Sequence, residues 1–127
     1  MQILKIKKII LKLLLLLIFK SCNYSEPNLY FPSSEILLGD VKVGSDKMIV
    51  FQIENRGNQS LFIKNVNSSC KCIDIKFSKK KIIKNQKANI SMIYKADEIG
   101  LHEESIVIIS NDPNKFNLQK IKVNVVE

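Results

Sequence analysis

Lys47-Met48-Ile49-Val50-Phe51-Gln52-Ile53-Glu54 sets Ile49, Phe51 and Ile53 on one face of an extended chain and Val50, Gln52 and Glu54 on the other. A period of two belongs to a strand with one buried face, because successive Cβ atoms point to opposite sides of a sheet. Asn55-Arg56-Gly57-Asn58 follows as a turn. Gly57 is expected there to take the positive φ that other residues resist.

The same grammar continues on both sides. Ile36 to Val43 opens the domain and stops at Gly44; Leu61 to Val66 places Leu61 and Ile63 together; Ile73 to Phe77 places Ile73, Ile75 and Phe77 together. Ile82 and Ile83 read as a brief edge strand, and Lys87 to Tyr94 sets Ala88, Ile90 and Met92 against Asn89, Ser91 and Ile93. Gly100 to Ile109 is a longer run in which Ile106 to Ile109 are expected to be buried on both sides. Asn111-Asp112-Pro113-Asn114 is a turn, since Asn and Asp start turns and Pro cannot donate to a ladder. Leu118 to Val126 closes the chain through Ile121, Val123 and Val125. The reading is an all-β fold, an immunoglobulin-like β-sandwich of about seven strands, with a small barrel as the runner-up because periodicity does not fix pairing.

Upstream the chemistry changes. Lys5, Lys7, Lys8 and Lys12 precede an unbroken apolar run from Leu13 to Phe19, and Ser21 stands before Cys22. Residues 1–21 therefore read as a cleaved export signal. A retained span needs roughly 20 apolar residues, more than Ile9 to Phe19 supplies. Cleavage before Cys22 frees a thiol and an amino terminus for lipidation, and acyl chains then hold the domain at a bilayer. Residues 22–34, with Pro27 and Pro32 among small polar residues and no apolar period, read as a tether, leaving 35–127 as the sandwich.

Export also reshapes the charge argument. Five of the 20 basic residues leave with the signal and none of the 12 acids does, so +8 falls to +3. That balance is too mild to suggest nucleic acid as a partner. Lys76, Lys79, Lys80, Lys81, Lys84 and Lys87 cluster around a hairpin. They read as solvated surface that discourages sheet-to-sheet pairing, ahead of a site for an anionic partner.

Cys70 and Cys72 are the one constellation with chemistry. Two residues of extended chain span about 6.6 Å, near the upper limit of roughly 6.8 Å for the Cα atoms of a disulfide. A loop or bulge after Asn67-Ser68-Ser69 would bring the sulfurs together. With Cys22 acylated, an even pair remains in a compartment where disulfides persist. Three uses stay open: a structural disulfide or buried thiols, a labile redox pair, and a copper or zinc site. The last draws on Cys70, Cys72 and His102, a set short of the four ligands of a structural zinc. His102 by itself reads as a surface residue. A catalytic triad lacks parts in a chain with one histidine, and Glu103 and Glu104 point to opposite faces of a strand. No enzyme activity and no cofactor are expected.

The chain resembles a family of bacterial exported domains of unknown function, common in the Bacteroidota, from about Leu38 to Val126. The carriers are Gly39, the F-x-x-x-N-x-G pattern ending at Asn55 and Gly57, Leu61 and Ile63, the S-C-x-C of Ser69 to Cys72, Gly100, and Ser110-Asn111-Asp112. Lys84-Asn85 stands where the family often has Pro-Gly. The resemblance implies an Ig-like sandwich akin to the ASH, Hydin and PapD-like domains and an exported location, and it implies no catalysis. Asn55 and Gly57 are the turn residues expected to matter structurally. The combined expectation is a cell-envelope lipoprotein, anchored through Cys22 in the outer membrane and facing the periplasm, whose module binds a protein partner.

Overall fold

The computed structural model describes residues 1–18 and 24–127. The lipidation site expected at Cys22, with the preceding Ser21, lies outside the described residues. α1 (Gln2–Ile18) has no buried residue. Among the described residues no helix is long and apolar enough to cross a membrane.

Among the described residues eight strands follow: β1 (Leu29–Tyr30), β2 (Glu35–Lys42), β3 (Asp46–Asn55), β4 (Ile63–Ser68), β5 (Ile73–Phe77), β6 (Lys87–Lys95), β7 (Gly100–Ser110) and β8 (Phe116–Val126). They form two four-stranded sheets, β1-β3-β6-β5 and β2-β8-β7-β4. The chain is therefore a sandwich and not a barrel. All pairings are antiparallel except β2 with β8. Gly39, at φ +68°, sits where the β2 register shifts.

Alternation becomes packing as the sequence suggests. Ile53 of β3, Ile90 and Met92 of β6, Ile106 and Ile108 of β7 and Ile121, Val123 and Val125 of β8 point between the sheets and are buried. The interior has two apolar clusters along its length. One gathers Val41, Ile73, Met92, Tyr94, Ile106 and Ile121; the other gathers Leu29, Ile53, Leu61, Ile63, Ile90 and Ile108. Phe51 and Ile75 pack against both and join them.

Four sequence expectations need correction. Ile82 makes only an isolated bridge to Leu61, and Ile83 is exposed. Val107 and Ile109 are half-buried rather than covered, because they face outward from a sheet that has no layer over it among the described residues. The stretch read as a tether contains β1, with Pro27 and Leu29 buried. Gly57 does not adopt a positive φ.

Gly57 is required for proximity instead. A Cβ there would meet the carbonyl oxygen of Glu26, and would lie 2.5 Å from Asn28 N and 2.7 Å from Pro27 C. Backbone cannot retreat as a flexible side chain would. The Lys84-Asn85 turn keeps the geometry that a glycine would supply: Asn85 takes φ +63°, which Asn tolerates better than most residues, and its N–H donates to the Asn55 carbonyl at 2.7 Å.

Candidate functional site

Two polar structures stand at opposite ends of the sandwich. At one end, Asn55 is fully buried, and its amide uses both ends. Oδ1 accepts from Asn28 N at 3.2 Å and Gly57 N at 3.0 Å, while Nδ2 donates to Gln59 O at 2.6 Å and Ile82 O at 2.8 Å. Asp112, also buried, accepts from Leu29 N at 2.7 Å and Asn114 N at 2.8 Å. Arg56 N–H donates to Asn28 O, and its guanidinium lies over the Tyr30 ring. The N-terminal segment is thus held by backbone groups that Asn55, Arg56 and Asp112 satisfy, and the bond from the buried Leu29 N–H to Asp112 is one whose loss burial would penalise.

At the other end, the crossover from β4 to β5 carries Cys70 and Cys72, joined in a disulfide with Cα atoms 5.1 Å apart. A turn at Lys71 and Cys72 brings them closer than an extended strand would. The crossover is fastened to both sheets. Ser69 N donates to Ser105 O and Ser105 N to Ser69 Oγ, each at 2.9 Å, on β7; Lys95 N donates to Cys72 O at 2.8 Å on β6. Ser69 Oγ also donates to Glu104 Oε2 at 2.6 Å. Glu104 shares with the two cysteines a cavity of about 370 Å³ that is also lined by Tyr94, Asp97, Glu98 and His102.

Among the described residues, the donor cluster at this end is Cys70, Cys72 and Glu104. His102 is not part of it; its Nε2 lies 2.8 Å from Glu98 O. Nothing in the sequence spacing pointed to Glu104, which reaches the crossover only because β7 runs beside it. Met48 is exposed and Met92 is in the core, so neither joins the cysteines.

Burial pushes the Tyr94 phenol above its ordinary value of 10.0, and the carboxylates of Glu104 and Asp97 push it further. The protonated phenol is thus the form the fold favours. Its contribution is complete below pH 10 and is lost as pH rises through the raised value. Absorbance titration is expected to show a late phenolate component that Tyr94→Phe removes; an unchanged curve in that variant would contradict the assignment.

The basic cluster from Lys76 to Lys87 is exposed. None of its lysines is in an ion pair among the described residues. Lys76 lies on β5, the edge of its sheet, where charge obstructs pairing with another edge.

A sandwich of two four-stranded sheets with one parallel terminal pairing defines an immunoglobulin-like fold. The chain belongs to the family described as Protein of unknown function (DUF1573), which it matches over residues 29–125. That match begins at Leu29, the first residue of β1. A protein of unknown function from Porphyromonas gingivalis is similar in structure, with a TM-score of 0.70 and 17% identity over 84% of this chain and 50% of that one. This chain therefore spans about half the length of that relative. The ASH/PapD-like domain 7 of human CEP192 is similar at a TM-score of 0.65 and 7% identity, over 78% of this chain and 85% of that domain. Vibrio cholerae VesB protease matches at a TM-score of 0.60 and 11% identity, over 87% of this chain and 34% of the protease. At these identities the likeness is one of fold. No curated protein matches the sequence.

Proposed function

We propose that the protein is a non-catalytic envelope lipoprotein, anchored through Cys22, whose sandwich binds a protein partner. The signal-like Met1 to Ser21 and the small residue before Cys22 support the anchor. The observation that carries the binding role is an apolar patch on the outer face of the β2-β8-β7-β4 sheet. β7 and β8 place Val107 opposite Leu118 and Ile109 opposite Phe116. Phe116 and Leu118 are 64% and 56% exposed. Two apolar cross-strand pairs side by side on an outer face are what a protein contact uses, whereas scattered single residues need no explanation.

A photo-crosslinking residue at Phe116 is expected to capture one discrete adduct in intact cells. Leu118→Glu should abolish that adduct, and Cys72→Ser should leave it in place. An adduct indifferent to Leu118→Glu, or one lost with Cys72→Ser, would point away from the patch and toward the thiol end.

A further inference from the structure

We propose that the β4–β5 crossover, once its disulfide is reduced, is a site for a borderline divalent cation of the Zn²⁺ type held by Cys70, Cys72 and Glu104. One ligand atom from each residue lies within 4.8 Å of the other two, although Glu104 comes from a different part of the chain. The donor types choose the cation. Thiolates suit Cu⁺ and Zn²⁺, a carboxylate suits harder ions, and the mixed set favours Zn²⁺. Three protein ligands leave a fourth position for water or a ligand, as in open zinc sites.

The surroundings are arranged for this. Ser69 Oγ fixes the Glu104 carboxylate at 2.6 Å, and Ser69 is itself held by Ser105. Partners of that kind orient metal ligands. Cys72 N–H points at Cys70 Sγ from 3.0 Å and so helps to fix the position of that sulfur. Asp97 and Glu98 line the cavity beside Glu104, while Lys95, on the same rim, is paired with Asp74 at 3.0 Å.

The disulfide is the gate. Its sulfurs carry no thiolate charge while bonded to each other. A dithiol donor breaks the Cys70–Cys72 bond by passing two electrons and two protons to it, and leaves as its own disulfide. Binding of Zn²⁺ to the two thiols then releases two protons. The cation site and the apolar patch lie on different surfaces, so the failure of one reading leaves the other standing.

The test is a Zn²⁺ titration of the full chain in detergent against a chromophoric competitor. It compares oxidised protein with anaerobically reduced protein freed of reductant. Reduced protein is expected to bind one equivalent and oxidised protein none. Glu104→Gln should weaken binding by about tenfold or more, as loss of a ligand or its support does, with His102→Ala unchanged. A second readout is independent of those variants: Co²⁺ added to reduced wild-type protein should give a near-ultraviolet thiolate-to-metal charge-transfer band. Equal Zn²⁺ binding by both redox forms, wild-type affinity in Glu104→Gln, or no Co²⁺ band would overturn the proposal.

Discussion

Asn55→Ala is expected to destabilise the domain by about 3 kcal/mol or more, because it removes four hydrogen bonds from a fully buried position. Each abandoned group costs about 1–3 kcal/mol where water cannot replace the partner. Ile82 O keeps a second bond from Leu61 N, and the part-buried Gln59 and Asn28 groups regain some hydration, which holds the total below the sum of four full penalties. In a domain of this size, 1 kcal/mol shifts the melting temperature by about 4–8 °C, so thermal unfolding should fall by about 12 °C or more. Asn55→Asp should be no better. It keeps the acceptor but sets carboxylate oxygen against the carbonyls of Gln59 and Ile82, where the amide donated. A loss below about 1 kcal/mol in Asn55→Ala would mean that the buried amide is not what organises this end.

Gly57→Ala is expected to cost about 2–4 kcal/mol through crowding rather than lost bonding, a backbone clash being among the few sources of large single-site effects. The new methyl falls among backbone atoms of Glu26 to Asn28, so either that segment or the turn must move. If the segment moves, Leu29 loses its bond to Asp112 and its burial, and Asp112 keeps only Asn114 as partner. Hydrogen exchange at the Leu29 amide should therefore accelerate while Ile90 and Met92 of the central β6 stay protected. The two substitutions share the Asn28 and Gly57 bonds of Asn55, so their double mutant should fall short of additivity by about 1 kcal/mol. Full additivity, or an unchanged Leu29 amide, would show that the N-terminal segment is not held by this close approach.

Legibility in the sequence followed the range of the forces involved. The alternation in β3, β5, β6 and β8 is local, and each strand lies within about two residues of its expected bounds. β1 escaped because two residues have no period; Leu29 and Tyr30 are a strand only because Glu54 and Asn55 lie opposite them. Gly57 stood out as a motif residue, yet its reason is a contact with Glu26 to Asn28 that no local turn rule contains. Val107 and Ile109 looked like a doubly buried run, and only the register with Phe116 and Leu118 shows that they face outward together. The cysteine pair was visible as a spacing. Glu104 was not, since its partner Ser69 is 35 positions away.

Both ends of the sandwich serve one arrangement. The Asn55 and Asp112 end fastens the chain entering from the N-terminal side, and the cysteine crossover fastens the two sheets to each other at the far end. The outer apolar patch is carried on the longest paired strands, β7 and β8, at the end of their ladder next to the Asp112 turn, so a partner docking there would meet a surface that does not need to reorganise.

Intact mass of membrane-extracted native protein, measured with and without reduction before thiol alkylation, tests the proposed anchored module and its oxidised cysteine pair together. The expected mass is that of residues 22–127 plus acyl chains, with Cys70 and Cys72 alkylated only after reduction. A chain without lipid whose two thiols react at once would contradict it.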